Sequence, residues 1–192
     1  MNKLFYDLET LGDDHRKHSI HQLSAIVEID GVVLETIDLK FRPHPKSLFD
    51  DEAMRISKVT KNLVLGYPEM ASQKKAFCDI LGQYVDKYKK NDCFVLVGFR
   101  NTSFDDLFLR KLFELCGDNY FNSYFFSNSL DASVLATQYL GDRRLHMPSF
   151  KLSRVAIEMG LVVDKERLHE AMYDVELTRD IYRISVGEEI EL

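Results

Sequence analysis

The stretch HQLSAIVEIDGVVLETIDLKF, residues His21 to Phe41, decides how the fold begins. Two runs rich in β-branched residues, His21 to Ile29 and Val32 to Phe41, flank the pair Asp30-Gly31. Such a pair signals a two-residue hairpin, because a type I′ turn needs positive φ at both central positions. Upstream, Lys3 to Glu9 reads as another strand, apolar and aromatic in its first half and running straight into carboxylates. Three antiparallel strands are therefore expected at the start.

Working outward, Pro43 and Pro45 end the third strand, since proline cannot donate to a ladder. From about Leu48 to Pro68 the chain is less regular, with Ala53, Ile56, Val59 and Leu63 at helix-like intervals. A longer helical stripe follows on Ala76, Phe77, Ile80, Leu81, Tyr84 and Val85. Cys93 to Gly98 reads as a short buried strand, and Phe104 to Leu115 as a helix stopped by Gly117. Tyr124 to Phe126 is a candidate fifth strand, with Asp131 as N-cap of a helix through Leu140. Leu152 to Gly160 and about Ala171 to Val186 read as the last two helices. Meandering strands followed by strands alternating with helices imply an α/β fold, a mixed five-stranded sheet flanked by helices. This is the order of the ribonuclease H-like fold, one among several mixed α/β possibilities.

A chain of 192 residues, 45% hydrophobic, is long enough for one well-buried core, so residues 1–192 are expected to form a single domain. The net charge of −6 argues against coating duplex nucleic acid by charge alone, which needs many cations on phosphates. A grip on a strand end is compatible with it. Cys78, Cys93 and Cys116 are an odd number without CxxC spacing, which suggests free thiols in a reducing compartment. The first carboxylate, Asp7, comes too early for a signal peptide, and no apolar run is long enough to span a membrane. A cytoplasmic location is the expectation.

Asp7 and Glu9 stand two apart on the first strand, so their side chains share a face. Two adjacent carboxylates are costly unless a cation lies between them, although a strand ending at Tyr6 would leave both solvated. Asp105 opens a helix after a buried strand, where it either caps backbone amides or joins a site; Asp106 beside it is a plain candidate for solvent. Asp174 lies in the same stripe as Leu177, Ile181 and Ile184, with no Lys or Arg in that stripe. A buried-face carboxylate needs a partner, and a metal ion is the better candidate. His169, five positions earlier, belongs in the loop ahead of that helix.

Tyr6-Asp7-Leu8-Glu9-Thr10, Asn101-Thr102-Ser103-Phe104-Asp105 and His169-Glu170-Ala171-Met172-Tyr173-Asp174 together resemble the three motifs of the DEDDh 3′–5′ exonuclease superfamily. The nearest group is the proofreading epsilon subunit of bacterial DNA polymerase III with its stand-alone relatives. The likeness runs from about Leu4 to Val186. It implies a ribonuclease H-like fold and two Mg²⁺ ions, replaceable by Mn²⁺. Asp7 would bridge both ions, Glu9 and Asp174 would complete one site, and Asp105 would support the other. His169 would take the proton from the attacking water, and the products would be nucleoside 5′-monophosphates. Thr10, Leu11 and Ile56 match positions that hold the terminal nucleotide, and Phe104 and Asn101 are further candidate contacts. The family usually has Gly-His-Asn before the second motif; here Phe99-Arg100-Asn101 stands there, and Arg100 is a candidate phosphate contact.

The implied partner is a nucleic-acid 3′ end, single-stranded DNA first and RNA as the alternative. A non-catalytic module that binds a polymerase or nucleic acid is disfavoured by the presence of all five chemical residues. Only six residues follow Val186, which favours a stand-alone repair or viral enzyme over a proofreading subunit with a long docking tail.

Overall fold

The computed structural model of the chain describes residues 1–188, so 189–192, most of the stretch after Val186, lie outside the described residues. The opening hairpins form as expected. Strands β1 (Asn2–Thr10), β2 (Ile20–Ile29) and β3 (Val32–Lys40) pair antiparallel, and Asp30 and Gly31 both take positive φ, 50° and 85°. Strands β4 (Val95–Gly98) and β5 (Leu130–Asp131) then add in parallel, giving the order β3-β2-β1-β4-β5. The mixed five-stranded sheet is the expected one.

Helices follow in chain order: α1 (Asp51–Ile56), α2 (Lys61–Leu65), α3 (Met70–Leu81), α4 (Asp105–Leu115), α5 (Ala132–Leu140), α6 (Leu152–Glu158) and α7 (Ala171–Val186). The alternation of β1 divides the core between the two faces of the sheet. Leu4, Tyr6 and Leu8 pack with Phe77, Leu81, Phe108 and Leu112 of α3 and α4. Phe5, with Ile26 and Val97, packs with Ala136, Val155, Leu177 and Ile181 of α5, α6 and α7. Lys3, Asp7 and Glu9 share the parity of Phe5, so three charged residues point from β1 towards the α5–α7 layer.

Two expectations are corrected and one is refined. The stripe through Val85 is helical only to Leu81, because Gly82 closes the helix with its N–H on the carbonyls of Cys78 and Ile80; Val85 is still buried, from a turn. The irregular stretch before Pro68 holds two helices, capped by the side chains of Asp50 and Thr60 and separated where Lys58 turns to φ 55°. The fifth strand is Leu130–Asp131 and not Tyr124–Phe126. Phe125 makes one isolated bridge to Phe94, while its ring is buried against Phe77, Phe113 and Phe121. Asp131 does cap α5, accepting the Ser133 N–H at 2.8 Å. Among the described residues no helix is long and apolar enough to cross a membrane. The three cysteines are free thiols.

Candidate active site

Strand β1 pairs with β4 only from Lys3 to Phe5, so its last residues run past the end of their parallel neighbour. The ladder position left open at the Leu8 N–H is taken by a side chain: Asp105 Oδ1 accepts it at 3.3 Å. Asp105, the first residue of α4, is buried, with its carboxylate reaching across to β1. Asp106 beside it is not solvated, contrary to expectation. It accepts from the Tyr6 hydroxyl, from Asn101 Nδ2 at 3.2 Å and from the Ser129 hydroxyl, which satisfies it inside the core.

Asp174 lies in the first turn of α7, which packs on β1 and β2, and its Oδ1 is buried without a hydrogen-bond partner. His169 sits exposed in the loop ahead of α7, as expected, held at φ 69°. Glu9 Oε2 accepts from Ser57 Oγ at 2.6 Å, at the end of α1.

These carboxylates feel one another. Burial, followed by repulsion from Asp105, Glu9 and Asp174, pushes Asp7 well above the usual carboxylate range. Burial raises Asp105 to about 8 against the bonds from its own N–H and that of Leu8, and repulsion from Asp106 and Glu9 adds to the rise. Burial likewise raises Asp174 to about 6. Glu9 is raised by burial, a rise tempered by the Ser57 bond and by the nearby His169 and Lys40. Among the described residues no other cation acts on the four, and none forms an ion pair with them.

Among the described residues no three His, Cys, Asp or Glu are already drawn into a metal-holding arrangement. Mutually repelling carboxylates without a counter-ion are expected to stand apart. The donor set nevertheless fits a hard divalent cation. Carboxylates from β1, α4 and α7 act on Asp7, and Asp174 Oδ1 is buried without a hydrogen-bond partner, an all-oxygen donor set that suits such an ion.

A cavity of about 480 Å³ opens beside Glu9. Thr10, Ile56 and Phe104 line it, joined by Asp13 and Ser57, which are not among the residues expected from the sequence. Ser57 was invisible because it reaches Glu9 only after α1 folds back over the strand end. Two expected contacts are corrected. Leu11 is fully buried, its N–H bonded to the Ser19 carbonyl and its carbonyl to the Asp50 N–H, so it offers a ligand nothing. Asn101 is also fully buried; a Cβ on Gly98 would lie 2.6 Å from its own Cβ, so this glycine lets it pack against β4. Arg100 is exposed in the left-handed region (φ 62°), its N–H on Asp131 and its guanidinium on the Phe150 carbonyl at 3.0 Å.

Sheet order and flanking helices together define a ribonuclease H-like fold. Solved structures share the architecture. E. coli exonuclease I in complex with a dT13 oligonucleotide is 21% identical with a TM-score of 0.72, covering 96% of this chain and 40% of that one. The zinc-bound complex of E. coli exonuclease I with single-stranded DNA is 20% identical with a TM-score of 0.75, covering 97% and 40%. At such identity the likeness is one of fold, and the chain spans about two fifths of exonuclease I. The chain belongs to the RNase_T exonuclease family, whose sequence model matches residues 4–182. No curated protein sequence matches it.

Proposed function

We propose that this chain is a divalent-metal-dependent 3′–5′ exonuclease that removes nucleotides from single-stranded DNA. The observation that carries the reading is the repulsion of Asp7 by Asp105, Glu9 and Asp174, none of them in an ion pair among the described residues, with Glu9 also lining a cavity of about 480 Å³. Two Mg²⁺ or Mn²⁺ ions held by these carboxylates would stabilise charge on the attacking and leaving oxygens. The protein's own part is geometric. Asp7 and Glu9 are fixed by the strand, Asp105 by its bond to Leu8, and Asp174 by the first turn of α7. His169, exposed and close enough to Glu9 to act on its charge, accepts the proton of the attacking water. Thr10, Ile56 and Phe104 receive the terminal nucleotide, and a nucleoside 5′-monophosphate leaves. Single-stranded DNA is favoured because the similar exonuclease I structures hold such strands.

Digestion of 5′-labelled DNA and RNA oligonucleotides, single and double stranded, with Mg²⁺ or Mn²⁺ tests this. A stepwise ladder on single-stranded DNA is expected from the wild type and not from Asp7→Ala. Internal cuts, or equal activity in Asp7→Ala, would sink it; a ladder on RNA alone would change the substrate and keep the chemistry.

A further inference from the structure

Helix α4 begins at Asp105 and runs 11 residues, about 16 Å, away from the carboxylate cluster. Beyond its far end lie two adjoining cavities that share Lys87 and Tyr88, of about 580 and 360 Å³. The smaller is walled by Tyr88 and Tyr120, whose side chains are among the most exposed large ones in the protein, at 87% and 73%. Each tyrosine is displayed on a short turn fixed from two residues before: Asp86 accepts the Tyr88 N–H at 3.1 Å, and Asp118 the Tyr120 N–H at 2.7 Å. Asn119, Asn122 and Ser123 complete that wall with donors and acceptors.

The charges here are sorted. Asp79, Asp86 and Asp118 are paired with Lys75, Lys89 and Lys74. Among the described residues Lys87 and Lys90 form no ion pair, and Lys87 Nζ lies 5.4 Å from the Tyr88 ring centre. On α4, Arg110 stacks on Phe121 at 4.2 Å and touches Asn122, which lines the smaller cavity. Exposed rings interleaved with unpaired cations suit a flexible polyanion that carries flat apolar groups.

We propose that this corner is a second contact for single-stranded nucleic acid, a base lying between Tyr88 and Tyr120 while Lys87 and Lys90 face its phosphates. The inference rests on the exonuclease reading for one point, that the same strand runs on to the carboxylate end.

Fluorescence anisotropy of a labelled oligothymidylate with the Asp7→Asn chain measures the contact without turnover. Tyr88→Ala and Tyr120→Ala should each weaken binding about tenfold, as loss of one stacked base does, whereas Phe at either position should retain it. Lys87→Ala and Lys90→Ala should each lower the salt slope of log affinity by about 0.7. Unchanged affinity in the alanine variants, or equal losses with a duplex, would overturn the clamp. A wild-type ladder without tyrosine dependence removes only the clamp; tyrosine-dependent binding without a ladder removes only the exonuclease reading.

Discussion

Strand β1 and helix α7 meet along a line with a charged cluster at each end, and the two are built on opposite rules. Near the start of β1, Glu28 is fully buried between two cations, Lys3 Nζ at 3.0 Å and Arg179 Nε at 2.7 Å. Burial would raise Glu28, yet the bonds from Lys3 and Arg179 hold it below its ordinary value. At the other end Asp7, Glu9 and Asp174 are half-buried with no ion-pair partner among the described residues, and all are raised. The same pair of elements thus neutralises one site fully and leaves the other in electrostatic debt. The contrast is one of compensation: Lys3 and Arg179 are placed on Glu28, whereas among the described residues no cation forms an ion pair with Asp7.

The largest expected effect comes from breaking the uncompensated end. Asp7→Asn should lower hydrolysis about a thousandfold or more, as removal of a preorganised charge-stabilising group does, and the metal-free protein should melt higher than wild type because a repulsive charge is gone. A metal-free melting temperature below wild type would mean that Asp7 is compensated after all. The compensated end should behave in reverse. Glu28→Ala leaves Lys3 and Arg179 buried face to face, with an expected cost of about 3–5 kcal/mol in chemical denaturation. A change under about 1 kcal/mol would show that the pair is worth no more than a surface ion pair.

Acidity sharpens the contrast. With its folded pKa raised to about 8, Asp105 contributes stability that is full below the unfolded carboxyl pKa of about 4 and is lost as pH rises towards 8. Glu28, with a depressed pKa, has the opposite sign: its contribution is present above the unfolded value and lost on acidification. In metal-free protein, wild type should therefore lose several degrees of melting temperature relative to Asp105→Asn between pH 5 and 8. Millimolar Mn²⁺ should restore them at pH 8 and do little at pH 5, where protons occupy the carboxylates. Equal metal shifts at both pH values would place the metal elsewhere.

The two ends also differ in how well the sequence announces them. Asp7, Glu9 and Asp174 were legible because period-2 and period-3.6 spacing set acids on faces that are otherwise apolar. The opening hairpins were legible from Asp30-Gly31, and α7 from its stripe. Nothing local told Asp105 from Asp106. Their opposite fates depend on where α4 meets β1, with Asp106 meeting Tyr6, Asn101 and Ser129 from three segments and Asp105 meeting a strand end left bare by the short β4. The pairing of Glu28 with Arg179 spans 151 positions and was equally hidden. Tyr124–Phe126 misled because β-rich aromatic composition describes a core wedge as well as a strand.

The smallest expected effect tests whether the uncompensated end is tuned as well as unpaired. The Ser57 hydroxyl donates to Glu9 and holds its pKa down against burial, so Ser57→Ala should raise Glu9 further. More protons then compete with metal, and the divalent-ion concentration for half-maximal activity should rise a few-fold, most at the acidic end of the pH range. At saturating metal the turnover should be close to wild type, because the ligand is intact and only its preorganisation is gone. A loss of turnover that metal does not repair would instead place Ser57 against the substrate, in the cavity it shares with Thr10, Ile56 and Phe104.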